Sequence, residues 1–253
     1  MSDQKQETKS EKPEVLAVVM ARGGSAGLPG KALRHLLGRP VLAYTLDHVR
    51  ESTLISRSVV SSDDPAILEL ARREGFEVIQ RPAELATATS ATDPVLRHAV
   101  RWLEKSEAGS QKSEFAAVVM LYGNVPVRRG GMIDRCIDML LETGCDSVQT
   151  IAPVGKMHPY WMFDLDGAGK IKKHVPNDVF RRQDLPPLFG PTGAVYAMRT
   201  EVLMTAEGSP DPHGFLGGDR RGLVVKPEDS VDIDTERDVY LAEAILRAPS
   251  IIP

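Results

Sequence analysis

Short apolar runs alternate with stretches of helical spacing along most of this chain. Residues 15–21 (VLAVVMA) are continuously apolar and end at Arg22-Gly23-Gly24. Such a run predicts a buried parallel strand, because a strand covered on both faces has no polar side to show. Residues 40–50 (PVLAYTLDHVR) carry apolar positions at helical spacing, with Pro40 where a helix starts. Further strands are predicted at 56–61, 76–80, 115–121 and 147–152, and helices at 66–73, 93–105 and 131–143. Asp63-Asp64-Pro65 supplies cap and first-turn chemistry for the helix at 66–73, and Gly144 is a suitable stop for 131–143. Strands at 193–198, 222–225 and 230–233 follow a break, then a helix at 236–247 with Thr235 and Asp238 at capping-box spacing.

This alternation predicts an α/β domain with a mostly parallel sheet and helices on both faces. Such sheets bind ligands beyond the carboxyl ends of their strands. The loops at 22–31, 61–64, 81–92 and 122–128 are therefore the places to look for chemistry. Between 155 and 191 the period fails and Pro, His, Arg and aromatic residues accumulate. That stretch is too long for a plain loop and predicts an inserted lobe or partner-binding arm. Residues 1–14 are polar and of mixed charge, without the apolar core of an export signal. They predict a disordered tail ahead of one domain over 15–250, and a cytoplasmic location.

Composition narrows the function classes. The 253 residues suit one large domain, or a domain with a small lobe. A net charge of -4 argues against a chain-wide basic surface for nucleic acid, while a local basic pocket remains allowed. No apolar run approaches the ~18 residues that span a bilayer, so no membrane partner is expected. The only two cysteines, Cys136 and Cys145, read as buried free thiols.

The first loop, ARGGSAGLPGKAL (21–33), follows the first buried strand directly. Glycines let backbone N–H groups turn toward an anion, and Arg22 and Lys31 add charge. The loop reads as a phosphate cradle or as a glycine-rich turn with two solvated cations. It is not a P-loop, because Gly24 lies one residue too early and Ala32 follows Lys31. In SVDID (230–234), Asp232 and Asp234 are two apart, which on a strand puts both carboxylates on one face. Their repulsion would be relieved by a divalent cation, and Mg²⁺ takes one or two carboxylates plus phosphate oxygens. The other reading is a solvated strand end that caps the next helix. Arg128-Arg129 and Arg181-Arg182 are short basic pairs that read as solvated faces, with Arg182 the best candidate of the four for an anionic ligand.

Several motifs in series resemble the acylneuraminate cytidylyltransferase family, the CMP-sugar-acid synthetases. They are ARGGSAGLPGK, VVSSDD (59–64), RPAELA (81–86), the strand ending in Pro126 and Arg128, HP (158–159), RRQDLP (181–186), PTGAVY (191–196) and SVDIDTERD (230–238). The resemblance implies a Rossmann-like three-layer α/β/α nucleotidyltransferase fold, with the segment 155–191 forming a small dimerisation lobe. It implies transfer of CMP from CTP to the anomeric hydroxyl of a nonulosonic acid, with Mg²⁺, in a homodimer. By position, Arg22 and Lys31 hold the triphosphate, with backbone of Ala21, Gly23, Gly24 and Ser25 around the nucleotide. Arg81 and Thr92 match cytidine contacts. Asp232 and Asp234 match the metal pair, and Arg182, Gln183 and His158 match the sugar side, although packing is an equal reading for His158. Tyr122 stands where the sialic-acid enzymes carry Gln, and Asn124 where the related CMP-Kdo synthetases carry a metal-binding Asp. Asn124 thus corresponds to a substrate and metal position without its charge. The implied reaction keeps its nucleotide side and changes its acceptor, toward a legionaminate-, pseudaminate- or Kdn-like acid. Alternatives are another acceptor, such as Kdo or a sugar phosphate, or a non-catalytic nucleotide-binding homologue.

Overall fold

The computed structural model describes residues 12–24, 27–106 and 115–248. Most of the expected N-terminal tail (1–11), Ser25 of the first loop and the domain's last residues, 249–250, lie outside the described residues. The first half holds β1 (Val15–Met20), β2 (His35–Leu36), β3 (Arg39–Pro40), α1 (Val41–Glu51), β4 (Arg57–Ser62), α2 (Pro65–Arg73), β5 (Glu77–Gln80) and α3 (Asp93–Ser106). It is followed by β6 (Ala117–Tyr122), β7 (Val127–Arg128), α4 (Met132–Thr143) and β8 (Ser147–Pro153). Then come β9 (Phe163–Leu165), β10 (Ile171–Lys173), β11 (Phe189–Arg199), α5 (Thr200–Thr205), β12 (Arg220–Val224), β13 (Ser230–Val231) and α6 (Glu236–Arg247).

Seven strands form one sheet in the order β12-β8-β11-β6-β1-β4-β5. All neighbours are parallel except β11, which runs antiparallel to β8 and to β6. The two-residue period of a strand divides β1 between two cores. Val15, Ala17 and Val19 join Leu42 and Leu46 of α1, Ile67 of α2 and Ile137 of α4. Leu16 and Val18 join Leu96 and Val100 of α3 and Leu203 of α5 on the other face. Burying each such side chain is worth about 1.5–3 kcal/mol, so both faces of the sheet must be covered. This is the three-layer α/β/α arrangement. A third apolar cluster packs Val231, Ile233 and Val239 over Leu28, Leu36, Val41 and Val127.

Local chemistry sets the ends. Asp64 caps α2 by accepting from Ala66 N–H at 2.8 Å, with Pro65 in the first turn. Gly144 ends α4 in the left-handed region at φ +65°, where a side chain would be strained. Cys136 and Cys145 are free and buried, as expected, and burial pushes the Cys136 thiol up to about 12.

The last strand is shorter than its sequence pattern. β13 stops at Val231 and pairs with β7 outside the main sheet, so Asp232 and Asp234 lie beyond the strand rather than on its face. Three hydrogen bonds end it, one long-range and two local. Ile233 N–H donates to Asn124 O at 2.9 Å, and the Asp238 carboxylate accepts Asp234 N–H at 3.1 Å and Thr235 N–H at 2.8 Å to start α6.

The aperiodic segment forms an arm with a β9–β10 hairpin and short turns at Pro159–Trp161 and Arg182–Asp184, and its end runs into β11. It carries apolar side chains in solvent, with Phe180 82% exposed and Leu165 71% exposed. Among the described residues no helix is long and apolar enough to cross a membrane.

Candidate active site

A cavity of about 370 Å³ opens beyond the carboxyl ends of β1 and β6, where an open parallel sheet places its ligands. Ala21 and Arg22 reach it from the end of β1, and Lys31 from further along the same loop. Arg81 and Thr92 come from the loop after β5, Tyr122 and Asn124 from the end of β6, and Asp232 and Asp234 from the segment before α6. Three of the four loops singled out by the alternation of strands and helices line it, and the fourth, 61–64, holds Arg81 through Ser61 O. Gly23 and Gly24 continue the first loop but do not line the cavity.

Three cations face two carboxylates. Arg22 Nη1 donates to Thr87 O at 2.9 Å and so ties the first loop to the loop after β5. Lys31 Nζ meets Asp234 Oδ1 at 2.6 Å, linking the loop after β1 with the chain before α6. Gly27 assists this approach, because a Cβ there would stand 2.7 Å from Asp234 O. Arg81 is buried, with Nη2 on Ser61 O at 2.7 Å, and burial lowers its pKa. Gly23 N–H is held by Asp63 Oδ1 at 3.2 Å, so this amide shapes the loop instead of standing open to an anion.

Asp232 is the half-buried member of the acidic pair, and Asp234 the exposed one. Desolvation raises its pKa to about 6; the charge of Asp234 adds to the rise, and Lys31 and Arg128 oppose it. Asn124 Nδ2 donates to Asp232 Oδ1 and to Ile233 O, the latter at 3.0 Å. Asn124 thus turns its amide nitrogen, not its carbonyl oxygen, toward the carboxylate and acts here as a donor that orients Asp232. Gly193, at φ +74°, lets β11 pass close by; a Cβ there would lie 3.3 Å from Asp232 Oδ2. Tyr122 stacks edge-on against Tyr196 with centroids 6.4 Å apart, and burial pushes its phenol up to about 12.

Among the described residues no three His, Cys, Asp or Glu side chains cluster to cage a metal. Two neighbouring carboxylates, one of them half-buried, still fit a divalent ion whose remaining ligands are substrate phosphates. The described lining has no cysteine or histidine, so charge and positioning are what the cavity offers.

Three expected sugar-side residues are elsewhere. His158 is 1% exposed within the arm, where Nε2 donates to Pro186 O at 3.2 Å and Nδ1 accepts Tyr160 N–H at 3.1 Å. Both ring nitrogens are engaged in packing the arm. Arg182 and Gln183 stand on an exposed turn of the arm and do not line this chain's cavity. Conversely, Arg128 is no solvated cation: it is 5% exposed directly behind the site. Its sequence signal was its place two residues after Pro126 in an apolar strand end. The Thr87–Ser90 stretch of the cavity wall carried no residue signal beyond its position after β5.

A family model described as cytidylyltransferase matches residues 16–205. The chain is 26% identical over 240 residues to post-translational flagellin modification protein B of Campylobacter coli, covering 94% of this chain and 97% of that one. It is 28% identical over 235 residues to CMP-N,N'-diacetyllegionaminic acid synthase of Legionella pneumophila, covering 92% and 96%. It is 27% identical over 226 residues to N-acylneuraminate cytidylyltransferase of Streptococcus agalactiae, covering 88% of this chain but only 51% of that protein. Among solved structures, CMP:2-keto-3-deoxy-manno-octonic acid synthetase complexed with CTP superposes with a TM-score of 0.66 at 16% identity, over 92% of this chain and 98% of the other, a likeness of fold.

Proposed function

This chain belongs to the cytidylyltransferase family, and on that premise we propose that it transfers CMP from CTP to the anomeric hydroxyl of a nonulosonic sugar acid. The observation that carries the reading is the meeting of Lys31 and Asp234 at 2.6 Å on the cavity wall, across 203 positions of the chain. It joins a cationic loop suited to a triphosphate to an acidic pair suited to a metal. Full-length likeness to a legionaminic acid synthase supports an acidic sugar as the acceptor.

The acceptor oxygen attacks the α-phosphorus in line, a P–O bond forms, and the bond to pyrophosphate breaks. Negative charge grows on the leaving group, so fixed cations stabilise the transition state. Arg22 and Lys31 are the residues for that role, with Lys31 exchanging Asp234 for phosphate when CTP enters. Arg81 and Thr92 face the nucleotide. Asp232 and Asp234 would hold Mg²⁺, which when bound polarises the α-phosphate. The acceptor proton leaves toward this acidic side of the site. Tyr122, which puts an aromatic ring where the resemblance expects an amide, supports an acceptor other than N-acetylneuraminate. The apolar arm supports a homodimer, in which Arg182 and Gln183 lie at or near the contact between copies.

The test is pyrophosphate release with CTP, Mg²⁺ and a panel of N-acetylneuraminate, Kdn, Kdo, legionaminate and pseudaminate. Release with one acceptor, and with CTP above UTP, ATP and GTP, is expected. No release with any acceptor, together with no CTP binding by calorimetry, would overturn the reading.

A further inference from the structure

Arg128 stands in β7, opposite Ser230 in the strand that leads to Asp232. Its guanidinium forms no ion pair with a carboxylate among the described residues. Nε donates to Ala194 O at 2.8 Å, Nη1 to Val125 O at 2.7 Å and Thr45 Oγ1 at 2.9 Å, and Nη2 to Tyr122 O at 2.6 Å. Tyr122 O and Val125 O bracket Asn124, so the backbone carrying two cavity residues is pinned at both ends. Ala194 O lies one residue past Gly193, where β11 passes Asp232. One side chain therefore ties together the segments on two sides of the acidic pair.

A buried charge without a counter-charge is costly, and neutral amides could hold three carbonyls. The carboxylate whose field reaches Arg128 is Asp232. His48, on its other side, is held neutral by burial and by Arg128 itself, down to about 3, and contributes no charge. Only a planar fork with donors in fixed directions reaches Tyr122, Val125 and Ala194 together; a lysine ammonium is a single point.

We propose that Arg128 is a positioning residue for cytidylyl transfer, holding the Tyr122–Asn124 wall and the Asp232 side of the site in register through its fork to three backbone carbonyls. This rests on the function proposed above, and it predicts an effect on kcat rather than on nucleotide affinity. Arg128 does not line the cavity, so it acts through the residues that do.

The experiment compares the full chain with Arg128→Lys and Arg128→Met. It measures kcat and CTP KM by pyrophosphate release, CTP binding by calorimetry, and amide exchange of peptides covering 118–126 and 228–236. In Arg128→Met, kcat is expected to fall about 10²-fold, the size of effect that slight misplacement causes, with KM changed less than about 3-fold. Arg128→Lys is expected to fall between, and exchange should quicken in those two peptides ahead of the rest of the sheet. Wild-type kcat in either folded variant would overturn the proposal. So would an even rise in exchange across the molecule, which marks a merely structural role. Where Arg128→Met does not fold, Arg128→Lys decides. A wild-type chain that neither releases pyrophosphate with any acceptor nor binds CTP overturns the functional reading and with it a role in transfer, whereas an active wild type with wild-type kcat in the variants overturns the positioning role alone.

Discussion

Lys31 and Asp234 meet where stability gains little from them. The Asp234 side chain is 66% exposed, and an exposed ion pair adds about 1 kcal/mol at most. Asp234→Ala is therefore expected to move the melting temperature by no more than about 2–4 °C. Pyrophosphate release should nevertheless fall by at least about 10²-fold, as when a transition-state charge contact is lost. Calorimetry and a coupled assay on one preparation separate the two, and unchanged turnover would remove Asp234 from the metal pair. Asp232 carries a different consequence. Its folded pKa, about 6, lies above the ordinary carboxylate value of 3.8, so the folded chain holds the proton more tightly than the unfolded one. Its contribution to stability is greatest below about pH 4, declines as pH rises to 6, and is flat above. The span is roughly 3 kcal/mol. In chelator-treated protein, Asp232→Asn should unfold at higher urea than wild type at pH 8, with the gap closing by pH 4. A gap that widens on acidification would contradict desolvation as the cause.

Helix ends were legible in the sequence because cap chemistry closes within four residues. Asp64 at the start of α2, Gly144 at the end of α4 and the Thr235–Asp238 box all stand where their residue types place them. The box at α6 also serves the site, since the Asp238 carboxylate holds the N–H of Asp234. Asp238→Ala should cost about 1 kcal/mol in urea unfolding. It should also lower kcat without raising the CTP KM; a pure stability loss with intact kcat would separate cap from chemistry. Strand ends were less legible. The V-D-I-D alternation of 231–234 reads as strand, yet Ile233 N–H finds its partner in Asn124 O, a contact no local pattern shows. Arg128 was read as surface for the same reason: its acceptors lie at 45, 122, 125 and 194, and only the fold assembles them. His158 was open to a sugar contact because its second partner, Pro186, is 28 positions away.

The mostly parallel sheet with helices on both faces is what the alternation of elements predicted, and the arm is what it left unassigned. An arm with Phe180 82% exposed and Leu165 71% exposed asks for a partner surface. The homodimer reading expects sedimentation at the dimer mass at micromolar concentration, and the monomer mass for Phe180→Asp with Leu165→Asp. A monomeric wild-type chain under the same conditions would refute it. The linkage of Lys31 to Asp234 also bears on the birth of the molecule. Every strand of the main sheet is supplied by residue 224, whereas the acidic half of the cavity and the cover over Leu28, Leu36 and Val127 come after it. A chain that stops at that point has the first loop without the carboxylates that face it, together with an uncovered apolar cluster. Such a fragment lacks Asp232 and Asp234 and leaves Leu28, Leu36 and Val127 without the side chains of Val231, Ile233 and Val239.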